Sequence, residues 1–357
     1  MMARTNDFDE YKRLSEPEKA EKAEIWQTAI GLQQVDGLVP SEYLIETAKQ
    51  NIEGEITIYE VHARLSSYYE TKPVKVADER TEEADKVSAR ITEILSEKTF
   101  SFSPAEYITI HRRLFTGIYE FAGKIRDYNI SKAEWVLGGE TVYYASADSI
   151  RATLDYDFAQ EKAFVYKGLC EAEIAEHIAK FVSGIWQIHA FGEGNTRTTA
   201  VFAIKYLRTF GFAVTHDLFV DHSWYFRNAL VRANYSDYKN NMFATQDYLN
   251  RFFRNLLLGE SNELKNREMR VSLVIDEDSG TVNGTVNMQD GTVNDTVFSL
   301  IQSNPKITGA QLAQQLGMSL RTVRREVKRL KDEGWIERVG SDKTGFWVVI
   351  KGVGENA

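Results

Sequence analysis

The chain has 357 residues, 43% hydrophobic and 12% aromatic, which is more than one average domain and enough apolar surface for real cores, so global disorder is excluded. A net charge of -9 excludes a uniformly nucleic-acid-coating protein but leaves room for one basic module. The single cysteine, Cys170, excludes a disulfide framework and reads as plain packing in an apolar-looking stretch.

No apolar run opens the chain, and no window approaches the roughly 18 apolar residues of a membrane span. The expectation is therefore a cytoplasmic protein with no membrane partner. Leu44 to Tyr69 predicts a helix, a stop at Gly54, a cap at Thr57 and a second helix. Ile58, Val61, Leu65 and Tyr68 share one face of that second helix. The charged run "TKPVKVADERTEEADK" predicts a linker or an exposed edge.

From Lys86 to about Leu258 the pattern is mostly helical. One interruption, "ISKAEWVLGGETVYYAS", places β-branched and aromatic residues on either side of Gly138-Gly139 and predicts a hairpin. Ile174, Ile178, Phe181, Val182 and Ile185 then line one face of a helix that ends at His189, and Gly192 and Gly194 break it before a new helix at about Asn195. A glycine-rich loop opening a helix offers free N–H groups and a positive dipole end to an anion, above all a phosphate. Arg197 in the first turn can add a charge-assisted contact, and Glu193 beside a phosphate makes sense where a divalent cation separates them. His189 can take a proton from a hydroxyl near neutral pH. The bland reading is a polar helix end followed by an ordinary turn.

Residues 276–295 repeat Gly-Thr-Val-Asn three times and predict a linker. Beyond it, three short helices and a hairpin around "GSDKTG" predict a helix-turn-helix with a wing over 296–351. From residue 296 onward ten basic residues face six acidic ones, so this part is +4. Arg321, Arg324, Arg325 and Lys328 group on one face of its third helix, opposite Val323, Val327 and Leu330. These four, with Lys343 on the wing tip, are the candidate DNA contacts; the alternatives are protein docking or a merely solvated basic stripe.

The stretch "HAFGEGNTRTTA" resembles the signature of the Fic (Fic/Doc) family, His-x-Phe-x-(Asp/Glu)-Gly-Asn-Gly-Arg-x-x-Arg, at His189, Phe191, Glu193, Gly194, Asn195 and Arg197. "IHRRLFTGIYEFAGKIRDYNI", with its Ala122 to Arg126 run, looks like the family's approach helix and turn. The resemblance implies a mainly α fold: a Fic-type helical core over 86–265 with a small flap, joined to the winged helix. It implies a protein adenylyltransferase that moves AMP from ATP, with Mg²⁺, to a Ser, Thr or Tyr hydroxyl of a target protein or of the chain itself. His189 would be the general base and Glu193 the Mg²⁺ ligand. Gly194, Asn195 and Thr196 would line the anion hole, with Arg197 on the β-phosphate. The flap Trp135, Val136, Leu137, Gly138, Gly139, Glu140, Thr141, Val142, Tyr143 and Tyr144 would hold a target's backbone. A homodimer is compatible with this reading.

Two positions depart from the signature. Thr196 stands for its second glycine and Ala200 for its second arginine, which in the family steadies the γ-phosphate. The Doc branch carries a lysine at the Thr196 position and transfers the γ-phosphate instead, so a phosphotransferase is one alternative. A DNA-binding regulator that only senses nucleotide is the other, and Ala200 favours it. Family members are often held inactive by an N-terminal helix bearing a Glu-Gly or Glu-Asn pair. Glu53-Gly54, within an N-terminal helical segment at 1–80, matches in part, with Lys49 where Ser or Thr is the rule. Glu53 is therefore the inhibitory candidate, with Arg197 as its partner; the alternative is a structural helix end.

Overall fold

The computed structural model describes residues 8, 11, 17–71, 76–212, 217–238, 242–271 and stretches of 297–349. The 276–295 linker and the candidates Arg321, Arg325 and Lys343 lie outside the described residues. The chain divides into two compact units. One holds Met1–Asn129, Tyr143–Tyr238 and Met242–Met269, and the other holds Ile130–Val142, Lys239–Asn241 and Arg270–Ala357. No helix among the described residues is long and apolar enough to cross a membrane.

The first unit is helical throughout. Its elements are α1 (Pro17–Gly31), a 3-10 turn (Leu32–Asp36), α2 (Glu42–Glu53), α3 (Ile58–Thr71), α4 (Val76–Ser96), α5 (Pro104–Phe115), α6 (Ile150–Ala163), α7 (Glu171–Ile188), α8 (Asn195–Thr209), α9 (Asp217–Ala233) and α10 (Asp247–Leu258). The local signals at 44–69 are realised. Gly54, at φ 81°, closes α2 in the left-handed region. Thr57 and Glu60 form a reciprocal cap at the start of α3, Thr57 N to Glu60 Oε2 at 2.7 Å and Glu60 N to Thr57 Oγ1 at 3.3 Å. The buried face of α3 is Val61, Leu65 and Tyr69; Tyr68 instead stacks on Tyr43 with centroids 4.0 Å apart. Trp26, Leu44, Ile52, Val61 and Leu65 share one core, and each such side chain contributes about 1.5–3 kcal/mol by leaving water.

Three expectations are corrected here. The charged run at 71–86 is no linker from Val76 onward, because α4 begins there and buries Ala84, Asp85 and Val87. Asp85 justifies its burial by accepting three hydrogen bonds: Ser41 N (2.8 Å), Ser41 Oγ (2.5 Å) and Tyr69 hydroxyl (2.6 Å). Cys170 is exposed at the head of α7 rather than packed in a core, and its N–H donates to Glu173 Oε2 at 2.8 Å. The 130–145 stretch forms no hairpin ladder, only a 3-10 turn at Trp135–Leu137.

α7 carries the predicted apolar face, with Ile178, Phe181, Val182 and Ile185 buried, and stops at His189. α8 follows from Asn195 and is buried along Asn195–Leu207. A helix buried on every side is a central strut, and this one fixes the loop that precedes it.

In the second unit Val297, Ile301, Ile307, Leu312, Val323, Leu330, Ile336 and Trp347 form one core. Thr308 and Gln311 cap α11 (Gly309–Leu316) reciprocally, through Thr308 N to Gln311 Oε1 at 2.9 Å and Gln311 N to Thr308 Oγ1 at 3.2 Å. β1 (Ile336–Val339) pairs antiparallel with β2 (Phe346–Val349) in the register Ile336–Val349 to Val339–Phe346. Arg324 and Lys328 are exposed while Val323 and Leu330 are buried, the division of faces expected for the third helix.

Candidate active site

The stretch from His189 to Arg197 is one folded object. His189 caps α7 in the left-handed region (φ 50°, ψ 56°), the only non-glycine with positive φ among the described residues. Such a conformation carries a strain of about 1 kcal/mol or more and here has an identifiable restraint. The Arg126 guanidinium, 4% exposed, donates to four carbonyls: Tyr128 (2.6 Å), Ala145 (2.5 Å), His189 (2.7 Å) and Ile188 (3.3 Å). The Arg126 N–H adds a bond to Ala190 O at 3.0 Å. A cation on the last carbonyls of α7 also meets the negative end of the helix dipole. Burial pulls the Arg126 pKa below its ordinary value. The imidazole of His189 lies 4.1 Å from the Tyr144 ring and edge-on to Trp186 at 5.4 Å, and the residue is 3% exposed.

The loop 190–194 closes on itself. Asn195 Oδ1 accepts from Phe191 N (3.0 Å) and its Nδ2 donates to Phe191 O (2.7 Å), so this amide is spent inward. Gly194 has φ 79°, and a Cβ there would lie 2.4 Å from the Phe115 ring, so glycine is needed on both counts. The Thr196 hydroxyl accepts from Trp186 Nε1 at 3.0 Å, which gives the departure from glycine a structural role. Ala200 is fully buried within α8.

Beneath the loop lies His111, from α5. Its Nδ1 accepts from Gly123 N (2.9 Å) and its Nε2 pairs with Glu193 O (3.0 Å), so the imidazole is neutral with the proton on Nε2. The ring stacks on Phe191, 3.7 Å between centroids. Burial pushes its pKa down from 6.5 to about 4. The unfolded chain therefore binds this proton before the folded one does, and stability falls as pH drops from about 6.5 to about 4. We expect this histidine to contribute about 3 kcal/mol to that loss in the metal-free chain. Denaturant midpoints at pH 7 and pH 4.5 should converge for His111→Asn and separate for the native chain. An equal fall in both would contradict this placement. The Glu193 carboxylate itself stands on the exposed side of the loop.

Arg197 is where the structure departs most from expectation. The side chain is 1% exposed, and both terminal nitrogens are hydrogen-bonded within the chain. Nη2 donates to Glu83 Oε1 at 2.6 Å and contacts the Tyr119 hydroxyl at 3.3 Å, and Nη1 donates to Gln33 Oε1 at 3.0 Å. Asp36 Oδ2 lies 2.9 Å from Nε as an ion pair off the N–H axis, and the guanidinium lies 4.8 Å from the Phe115 ring centroid. Although burial opposes its charge, the two carboxylates and Tyr119 raise the Arg197 pKa above its ordinary value. Tyr119 in turn donates to Glu83 Oε1 at 2.6 Å. The guanidinium expected on a phosphate is thus held by acids of this chain, and the first turn of α8, at most 7% exposed over Asn195–Thr198, is closed.

Glu53 is not among these acids. It pairs with Lys19 (2.6 Å), which together with Tyr11 lowers its pKa, so the expected pairing with Arg197 is replaced by Asp36 and Glu83. Gln33, Asp36, Glu83, Tyr119, Arg126 and Tyr144 are therefore the residues sequence reasoning left without these roles. Of these, Tyr119, Arg126 and Tyr144 stood inside the segments that carry the resemblance; Gln33, Asp36 and Glu83 carry no local signal.

The expected flap is divided between the units, with Trp135–Val142 in the second and Tyr143 and Tyr144 in the first. Gln187 Nε2 donates to Tyr143 O at 3.1 Å, while the Tyr143 side chain is 80% exposed. As to Mg²⁺, no group of three or more His, Cys, Asp or Glu among the described residues could hold a metal. One exposed carboxylate, Glu193, fits an ion completed by phosphate oxygens, which is how Mg²⁺ usually binds.

Residues 101–207 match the Fic/DOC family model, and residues 297–337 match a winged helix-turn-helix DNA-binding model. The protein adenylyltransferase VbhT of Bartonella schoenbuchensis is 26% identical over 132 residues, 37% of this chain. The chain spans only 25% of the length of that relative. The N-terminal Fic domain of Bep8 from Bartonella sp. 1-1C aligns with a TM-score of 0.41 at 18% identity, over 52% of this chain and 88% of that one. The N-terminal Fic domain of a VirB-translocated Bep effector from Bartonella quintana aligns with a TM-score of 0.40 at 20% identity, over 51% and 83%. The chain carries a Fic/DOC-family domain across residues 101–207, joined in the same sequence to a winged helix-turn-helix segment at 297–337.

Proposed function

We propose that the chain is a protein adenylyltransferase, held here in a resting state, that moves AMP from ATP to a Ser, Thr or Tyr hydroxyl of a protein or of itself. The observation that carries this is the restraint on His189. Arg126 fixes its backbone at the end of α7, directly before the loop that opens α8. A base must be positioned before its pKa matters. His189 takes the proton of the acceptor hydroxyl, whose oxygen bonds to the α-phosphorus as pyrophosphate leaves. Glu193 would hold Mg²⁺, and that ion would supply charge neutralisation on the phosphates. Arg197 and the N–H groups around Gly194, Asn195 and Thr196 receive the nucleotide's phosphates once Arg197 leaves Asp36 and Glu83.

Autoinhibition belongs to this reading, with different residues from Glu53. Gln33 and Asp36, in the 3-10 turn of the N-terminal segment, and Glu83 of α4 compete with phosphate for Arg197. The test uses the native chain and His189→Ala, each with Mg²⁺ and ATP labelled at the α- or the γ-phosphate. Label on protein from the α-phosphate only, lost in the variant, is the expected result. Label from the γ-phosphate only would establish the Doc-like phosphotransferase instead. A nucleotide-sensing regulator without transferase activity is the second reading, favoured by the burial of Ala200 and the sequestration of Arg197. It predicts ATP binding with no covalent product.

The winged helix is read as the DNA-binding part, through the exposed Arg324 and Lys328 and through Arg321, Arg325 and Lys343. Phosphate contacts release counterions, so affinity should fall steeply with salt. Arg324→Ala with Lys328→Ala should weaken binding about uniformly across sequences and reduce the log–log salt slope by about 2. Equal affinity in native chain and variant at low salt would place DNA elsewhere or nowhere.

A further inference from the structure

Arg126, Arg197 and Lys205 show what the first unit does with a buried cation. Arg126 spends its guanidinium on four carbonyls, and Arg197 lies against Asp36 and Glu83. Lys205 donates to the carbonyls of Ile94 (2.8 Å) and Glu97 (2.9 Å) at the end of α4. Arg232, in the last turn of α9, is the exception. It is 9% exposed, and its Nε and Nη1 are buried with no hydrogen-bond partner among the described residues. A long cationic side chain normally covers its stem and keeps its head in water; here nitrogens of the head itself are covered. Burial pulls its pKa below the ordinary value, and the groups that act in the other direction are Tyr248 and Tyr235, not a carboxylate.

The facing turn has the opposite surplus. Thr245 N donates to Arg232 O at 3.1 Å, which brings the start of α10 against the end of α9. Gln246, at the N-cap of α10, and Asn250, one turn on, have their oxygens Oε1 and Oδ1 buried and without a hydrogen-bond partner among the described residues. Tyr248, which acts on the guanidinium, stands between these two in the same turn. An uncompensated buried charge is among the costliest features a fold can hold. Donors on one side and acceptors on the other, left apart, fit a small molecule lying between them. It must present anionic oxygens to Arg232 and a proton to an amide oxygen. Water offers the proton without the charge, and a fully ionised oxyanion offers the charge without the proton. An oxyanion that keeps an O–H offers both.

We propose that the corner between α9 and α10 is a second anion site, in which Arg232 takes the charged oxygens of a small oxyanion of the hydrogen-phosphate class and Gln246 and Asn250 accept its O–H. The directional donors of a guanidinium suit such oxygens better than they suit chloride. The site is built from α9 and α10, not from the loop that opens α8, and it does not rest on the transferase reading. Because α10 packs against α7, which ends at His189, an ion here braces the helix that carries the candidate base.

The experiment follows the thermal midpoint of the full chain, without ATP, as sodium phosphate at pH 7 replaces sodium chloride at constant ionic strength, and repeats the series with sodium sulfate. A ligand that binds only the folded chain raises the midpoint with its concentration. Phosphate should raise the midpoint of the native chain, and sulfate, which holds no proton at that pH, should raise it less at equal concentration. In Arg232→Met the apparent dissociation constant for phosphate should be about 10- to 100-fold weaker, the scale for one charge-assisted bond. The variant keeps the loop that opens α8, so a rise common to both chains belongs to that loop. If Arg232→Met does not fold, Arg232→Lys decides: it keeps the charge without the planar spread of donors and should need at least about tenfold more phosphate. An equal rise in native chain and variant, no rise in the native chain, or an equal rise with sulfate would overturn the proposal. None of these results depends on whether ATP labels the protein, so failure here and failure of the transferase reading are separately visible.

Discussion

Arg126→Met should destabilise the first unit by about 3–5 kcal/mol, through buried carbonyls left without a donor. Four carbonyl oxygens lose their donor at once, two of them the last of α7. A buried acceptor left unpaired costs about 1–3 kcal/mol, so even partial access of water to Tyr128 and Ala145 leaves a large loss. The guanidinium's hydrogen-bond partners are backbone carbonyls, so its removal strands no opposite charge and the loss is one of carbonyl satisfaction. Arg126→Lys keeps a cation near the helix end but cannot reproduce the planar spread of donors, and should fall between. Denaturant midpoints at constant m-value give the comparison. A loss below about 1 kcal/mol for the methionine variant would mean that water replaces Arg126 at these carbonyls and that it does not restrain His189.

Glu83→Gln should raise transfer from ATP. In the native chain Arg197 is neutralised by two acids and held by Gln33 and Tyr119. Glutamine keeps the size and an acceptor oxygen but removes one charge-assisted bond, worth about 1.5–3 kcal/mol. If Arg197 release limits nucleotide binding, the available fraction rises by about 10- to 100-fold. Asp36→Asn should act in the same direction but more weakly, because its carboxylate is 30% exposed and already partly screened. Glu53→Gly should leave transfer unchanged, since Glu53 pairs with Lys19. A rise in the Glu53 variant with none in the Glu83 variant would reverse this assignment.

The parts of this molecule legible in its sequence are those whose physics is local. Gly54 ends α2, Thr57 caps α3, and the apolar face of α7 runs to His189, because caps and periodicity act within a turn or two. The divided faces at Val323–Arg324 and Lys328–Leu330 were legible for the same reason. What sequence reading missed is set by distant partners. Glu83 sits in a run so charged that it reads as a linker, yet α4 buries one side of it. Asp36 is one acid among many until the fold brings the 3-10 turn to α8. Trp135 to Leu137 have the composition of a strand, but strand preference reflects a pleated neighbour to pack against, and here the stretch closes into a 3-10 turn. The site's residue types were readable from the motif; the closed state of Arg197 was not.

The most direct test compares Glu83→Gln with Glu83→Gln/His189→Ala, both given Mg²⁺ and ATP labelled at the α-phosphate, and reads label on protein. The account predicts more label in the single variant than in the native chain, and its loss by about 10²-fold or more in the double variant, the scale for removing a general base. No label in the single variant despite measurable ATP binding would contradict it and leave a nucleotide-sensing protein that performs no transfer.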